Sequence, residues 1–449
     1  MSHVLEHIYN ACDPLAPASA EYYVDSTAVR GTTAVALQFQ RDLSLSKTHL
    51  CLLFSGHVGG GKSSELEHLR QRLNEQVPSG PCKRYLPILM NAGEYLDDYD
   101  VTPVDILLAI VAEVGATFEE QLKIGLKDSY FEKRLREIGQ TLLTDVDISE
   151  GEVTIPNAKT KIRLLKKDPS ARDKVRAKLI PQMTTVLTEI NSVFDEARVK
   201  LRSHKVPSGD QPYFDFVLIV DDLEKVQRVD NAGEGEASHR QLFIERAPQL
   251  TELKAHVIYT IPLALVRSHG PQLSLIYGAA PVVLPMIKVH PRSSNDFYEA
   301  GRECLIELVK KRAGSYHLNA IIDEDALDWL IRYSGGHVRN LMTYLQRSAS
   351  YVDAAPINLA AAKRALSQDV ALFSTSIRAH QWALLAALDA SENQWIDNND
   401  PDVRELLVQN CILEYLNGGD ESTFDAAAPW YAVNPIVREL SQFKRAASL

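Results

Sequence analysis

Eight residues near the start of the chain, Gly56-His57-Val58-Gly59-Gly60-Gly61-Lys62-Ser63, follow the spacing G-x-x-x-x-G-K-[ST]. Such a run can hold a chain of phosphates. Glycines lack a Cβ, so successive backbone N–H groups can converge on phosphate oxygens. A helix that starts here adds the positive end of its dipole. Lys62 offers a cation to β- and γ-phosphates, and Ser63 offers a hydroxyl to Mg²⁺, with Ser64 in the same turn. The competing reading is an ordinary Gly-rich turn. The Lys-Ser pair, an apolar run before it and a helical pattern after it weigh against that reading.

A second run, Val220-Asp221-Asp222, ends the apolar segment Phe214–Val220. A buried strand that stops at a carboxylate delivers Asp221 to a sheet edge, where it can hold Mg²⁺ through water. Asp222 is then placed to orient or deprotonate an attacking water. Glu224 competes for that role, but two residues past the strand it is expected to lean away. Thr260 closes the run His256–Thr260 and can contact the γ-phosphate or the water; a hydroxyl satisfied by strand or turn hydrogen bonds is the alternative. The segment Ser334-Gly335-Gly336-His337-Val338-Arg339 pairs two glycines with a helix start. Arg339 can there reach a γ-phosphate and couple nucleotide to the angle of a lid. A solvent-facing Arg after an interhelical turn is the alternative.

These residues need a scaffold. Leu50–Phe54 reads as a buried strand entering the loop, and Leu66, Leu69 and Leu73 line one face of the helix that leaves it. Residues 84–91, 214–220, 256–260 and 281–289 read as further strands. Residues 30–45 and 104–114 read as helices, as does the span from Asn295 to about Gln368, interrupted at 334–336. The expected fold class is α/β: a three-layer αβα P-loop core with a helical insertion, an α-helical lid and a winged-helix-like C-terminal domain. The expected boundaries are 1–45 for a lead-in, 46–290 for the core with its insertion at about 115–205, 291–368 for the lid and 369–449 for the last domain. Within the insertion a hairpin or loop is expected at 150–167, followed by one long helix over Leu179–Leu201. The last domain reads as helices at 380–388 and 402–409, strands at 412–416 and 430–433 around a Gly/Asp-rich loop, and a closing helix from Pro435. Trp395, Trp430 and Tyr431 are its expected core anchors.

The 449 residues suit roughly three domains. An apolar fraction of 45% and a charged fraction of 24% exclude disorder and collagen-like repeats. A net charge of −11 argues against nucleic-acid binding over the whole surface. The charge is uneven, however. Residues 159–178 hold nine basic side chains against Asp168 and Asp173, a local +7, while 370–449 hold five basic against eleven acidic, a local −6. Asp402 and Glu405 sit where a DNA-reading helix would need Lys or Arg, which favours a protein-contact or autoinhibitory module. The five cysteines lack metal-ligand spacing. The start MSHVLEHIYN lacks the pattern of a secretory signal, and no apolar run approaches the ~20 residues that span a bilayer. A soluble cytoplasmic protein with no membrane contact is expected.

The segments YYVDSTAVRG, LLFSGHVGGGKSSEL, VLIVDDLEKV, VIYTIP and SGGHVRNLMTYL, in this order, resemble the AAA+ ATPases, in particular the initiator-type (origin-recognition-like) and STAND-like branches and the bacterial "AAA family" ATPases. The resemblance implies ATP and Mg²⁺ as cofactors, a P-loop NTP hydrolase and a nucleotide switch that controls homo-oligomerisation or recruitment of an effector or sensor protein. Bacterial anti-phage defence is the setting it suggests. It places Val29–Arg30–Gly31 beside the adenine; no arginine finger is evident from spacing, and Arg240, Arg246 and Arg267 are the candidates near the expected interface. The Asp-Asp ending replaces the more common Asp-Glu, which implies slow or partner-stimulated hydrolysis. The alternative function is a nucleic-acid-loading or remodelling ATPase that grips the backbone through 159–178. A nucleotide-binding scaffold with little hydrolysis is a third.

Overall fold

Five apolar segments form the strands of one sheet in a computed structural model that describes residues 3–75, 83–126, 158–204, 211–225, 237–292, 294, 296–391, 394–417 and 428–448. The strands are β1 (Cys51–Gly56), β2 (Tyr85–Asn91), β3 (Asp215–Asp221), β4 (His256–Ile261) and β5 (Val282–Leu284), in the order β2-β3-β4-β1-β5. β3 runs parallel to β2, with Tyr85 opposite Asp215 and Asn91 opposite Asp221, and parallel to β4, with Val217 opposite His256. Every residue of β3 and β4 is buried. That explains why both read as unbroken apolar runs rather than as alternating ones. A parallel sheet in this order, with the Gly-rich loop after β1 and the acidic pair after β3, is the αβα fold of P-loop NTPases. β5 is shorter than the expected 281–289 strand, because Pro285 has no N–H to continue the ladder.

The chain forms two compact units, Met1–Val35 with Ser55–His68 and Val283–Leu449, and Ala36–Phe54 with Leu69–Val282. The second unit holds most of the sheet. Its helix Pro103–Leu122 starts at a capping box, with Pro103 at the first position and Thr102 and Asp105 capping each other. Among the described residues of the insertion, three segments follow. Residues 158–167 are helical rather than a hairpin or loop, with Ile162 buried beneath a charged outer face; the rest of that expected hairpin lies outside the described residues. Helix Pro169–Leu179 follows, capped by Asp168. The single long helix expected from Leu179 is interrupted: Pro181 sits in a short 3₁₀ turn, Ile180–Gln182, and the helix proper runs Met183–Ser203.

The first unit holds the Gly-rich loop and most of the C-terminal helices. Helices Glu299–Ala313, Glu324–Ser334 and Val338–Ala349 share one core with Leu5 and Ile8 of the N-terminal helix His3–Ala11 and with Leu385, Leu406, Val437 and Phe443 near the C-terminus. Helices Gln381–Ala390 and Pro401–Val408 precede the antiparallel pair β6 (Ile412–Leu416) and β7 (Pro429–Val433), with Ile412 opposite Val433. The expected Gly/Asp-rich loop between them lies largely outside the described residues. Trp430 is fully buried and stacks on Tyr415 with ring centroids 4.5 Å apart, and Tyr431 is buried too. Trp395 is not a core anchor: it precedes helix Pro401–Val408 in an irregular segment and is 67% exposed.

Candidate functional site

The Gly-rich loop and its surroundings lie within the first unit. Gly56, Gly59 and Gly61 have φ of +150°, +86° and +109°, backbone that side chains rarely adopt. A Cβ on Gly59 would lie 2.5 Å from His337 Cε1 and 2.9 Å from Arg339 Cβ. Only a glycine lets the segment of His337 and Arg339 approach this closely.

All six carbonyls from Gly56 to Gly61 accept a hydrogen bond. Lys62 Nζ donates to those of Gly56 and His57, both at 3.1 Å, and Gly60 N also donates to His57 O. His337 Nε2 donates to Val58 O at 2.8 Å and Arg339 N to Gly59 O at 3.2 Å. Arg30 Nη2 donates to Gly60 O at 2.8 Å, and Glu65 N to Gly61 O at 3.1 Å. A trans peptide points its N–H opposite its carbonyl. Pinning these carbonyls on their donors therefore turns the N–H groups of Val58, Gly59, Gly61 and Lys62 the other way, as an anion cradle requires.

Each donor is itself held. His337 caps helix Val338–Ala349: its Nδ1 accepts from Asn340 N at 3.1 Å, which leaves Nε2 as the protonated nitrogen facing Val58. Burial pushes its pKa down to about 3, with His57 and Arg339 adding repulsion. Arg30 is buried, donates to Ser26 Oγ at 2.8 Å and to Pro285 O, and its pKa is lowered by burial against a partial opposing pull from Glu65. Its place against Gly60 is beside the phosphate loop, whereas the family likeness assigns its segment to the adenine. Arg339 adds a bond from Nε to Pro14 O at 3.0 Å. Ser64 Oγ accepts from Ala18 N at 3.0 Å. Ser63 lies in the first turn of helix Lys62–Asn74.

The second unit carries the acidic residues. Asp221 ends β3, is buried, and accepts from Asp222 N at 2.8 Å. Asp222 has φ +68°, a left-handed conformation that Asp tolerates better than most residues. This residue and the 3₁₀ turn Leu223–Lys225 bend the chain back on itself. Glu224 does not lean away as expected. It is buried, and Asp221, Asp222 and Glu224 each offer a carboxylate oxygen within 4.8 Å of the others. Three clustered carboxylates are hard oxygen donors of the kind Mg²⁺ accepts. Lys225 pairs with Asp222 at 2.6 Å. Thr260 Oγ1 accepts from Leu223 N at 3.1 Å and donates to Val220 O at 3.4 Å, so its hydroxyl ties β4 to the acidic turn.

Of the arginine-finger candidates, Arg240 ends the short helix Ala237–Arg240 and lies 3.6 Å from Glu245, Arg246 caps the next turn, and Arg267 lies in helix Leu263–Tyr277. Four of the nine basic residues of the stretch pair with carboxylates within the second unit. Lys159 meets Glu113 at 3.1 Å, Arg163 meets Glu94, and Arg172 meets Asp97 and Asp100 at 3.1 and 3.3 Å. Arg176 meets Asp100 and Asp105, both at 2.6 Å. Part of the local excess of +7 thus sits against carboxylates at 94–113 that a residue count over 159–178 leaves out. Asp402 and Glu405 are likewise paired, both with Arg378 and Gln381, and Asp402 also with His380.

Comparison with known proteins adds structural likeness only. No protein-family model matches the chain, and no curated protein matches it. Among solved structures it is similar to a Walker-type ATPase of Pyrococcus abyssi, at 14% identity and a TM-score of 0.45, covering 98% of this chain and 100% of that one. It is also similar to Cdc6p of Pyrobaculum aerophilum, at 10% identity and a TM-score of 0.39, covering 98% and 97%. Among the described residues no helix is long and apolar enough to cross a membrane.

Proposed function

We propose that the chain binds and hydrolyses ATP with Mg²⁺, and that the nucleotide acts as a switch on the lid and the winged-helix-like C-terminal module to control self-association or recruitment of a protein partner. The observation that carries this reading is the pinning of all six loop carbonyls, two of them by His337 and Arg339 of the lid. A phosphate chain that settles on the loop's N–H groups pulls on the same peptides whose carbonyls the lid holds. Bound nucleotide and lid position are then linked, and each biases the other by the same free energy. Lys62 and the helix dipole would neutralise phosphate charge, and Ser63 and Asp221 would hold the metal. Mg²⁺, when bound, offsets charge on the transferring phosphate. Asp222 and Glu224 would position the attacking water.

The nucleic-acid alternative draws on less free charge than the residue count suggests, since Lys159, Arg163, Arg172 and Arg176 are paired internally. Isothermal titration of Mg-ATP into wild type and Lys62→Ala tests the reading. Wild type should bind and the variant should lose at least tenfold in affinity. Equal affinity in the two proteins, or none in wild type, refutes it. Phosphate release from wild type and Asp222→Ala, and sedimentation with ATP or ADP, then test hydrolysis and assembly.

A further inference from the structure

The second residue of the Gly-rich loop carries a side chain that its lid contacts do not involve. His57 is buried. Its Nε2 lies 3.0 Å from Glu414 N in β6, and its Nδ1 lies 3.0 Å from Asn410 Oδ1. A backbone N–H can only donate, so Nε2 must carry the lone pair. The proton is then on Nδ1 and is donated to the Asn410 amide oxygen. The two contacts fix the tautomer and the plane of the ring together. The same residue's carbonyl accepts from Lys62 Nζ and Gly60 N. His57 is therefore held on its side-chain face by residues more than 350 positions later in the chain, and on its backbone face by the phosphate loop itself.

Asn410 is fixed for a local reason. It follows helix Pro401–Val408 in a left-handed conformation, φ +57°, the usual way to end a helix and one that Asn accepts more readily than most residues. Its own N–H donates to Leu407 O, and its carbonyl accepts from Asn434 Nδ2 at 3.0 Å. Glu414 is fixed by the sheet pairing of β6 with β7, opposite Tyr431. Both partners of His57, one a side-chain amide and one a backbone N–H, thus sit on residues placed by the C-terminal module.

We infer that Asn410 is a positioning residue for the phosphate loop, acting through His57, so that the C-terminal module sets the loop's affinity for nucleotide directly and not only by way of the lid. The inference rests on the nucleotide-binding reading above. It assigns a route of regulation: a partner that shifts the end of helix Pro401–Val408 relative to β6 loosens His57 and lowers phosphate affinity.

Asn410→Gly is the informative variant. Glycine accepts φ +57° without strain and keeps the backbone bonds, so only the amide acceptor is lost. One such hydrogen bond corresponds to about a fivefold loss of Mg-ATP affinity. Asn410→Asp restores an acceptor and should restore affinity to within twofold of wild type. A double-mutant cycle with His57→Phe separates this route from general loosening: adding Asn410→Gly to His57→Phe should weaken binding no further. If the effects multiply, or if Asn410→Gly binds as wild type does, the inference fails even though wild type binds ATP and Lys62→Ala does not. If wild type fails to bind, it is the underlying reading that fails. Should Asn410→Gly not fold, His57→Phe with an unchanged unfolding temperature carries the test, and wild-type affinity in that variant overturns the inference.

Discussion

A fall in pH from about 7.5 to 5.0 should destabilise the folded state through the buried His337 by about 2 kcal/mol. Burial of the imidazole lowers its pKa from 6.5 to about 3, and repulsion from His57 and Arg339 adds to the effect. In the unfolded chain the same group takes up a proton below about pH 6.5. Between that value and about 3 the unfolded state binds more protons than the folded one, so stability rises with pH and is lost as pH falls. The loss is about 1.4 kcal/mol per unit over about 1.5 units. Urea unfolding of wild type and His337→Gln at the two pH values isolates the effect. His256, lowered to about 4, and His290, also lowered, contribute to both proteins and cancel in the difference. Glutamine can still donate to Val58 O but does not titrate, so the variant should lose about 2 kcal/mol less than wild type on acidification. Equal losses in the two proteins would show that His337 protonates freely and that its contact with Val58 does not depend on a neutral ring.

Two further substitutions probe the same contacts from other sides. Gly59→Ala should weaken Mg-ATP binding by more than tenfold in equilibrium titration, since the left-handed backbone alone costs about 1–2 kcal/mol and the new Cβ meets His337 and Arg339. Gly115→Ala, where a Cβ meets nothing within 4 Å in a helix, is the control and should leave binding unchanged. Arg176→Ala should cost about 3 kcal/mol in urea unfolding, because it strands Asp105 (12% exposed) beside a half-exposed Asp100. A change under about 0.5 kcal/mol would mean the insertion is not held by these pairs.

Much of the scaffold was legible because it is written in local patterns. Apolar runs bounded by turn residues give β1 to β4 within a residue or two, and β6 to the residue. Pro285 and Pro181 mark ends that the apolar pattern runs past, since a missing N–H stops a ladder or helix whatever the neighbours' hydropathy. The helix at 158–167 is not legible as one in the sequence, because its charged face hides the single stripe that contains Ile162. The exposure of Trp395 is not legible either, because size and apolarity say nothing about which side of an irregular segment faces the core.

The chemistry divides along the same line. Residue types and spacing alone determined that a Gly-Lys-Ser loop follows one strand and an acidic pair another, since both signals lie within eight consecutive residues. Only tertiary structure decided what holds them. Glu224 joins Asp221 and Asp222 because Asp222 adopts φ +68°. Arg172 and Arg176 of the basic stretch meet carboxylates some seventy residues earlier. His57 meets Asn410 because a helix end and a hairpin converge on it. Hydrogen bonds and ion pairs depend on distances in space, and a sequence orders residues only along the chain.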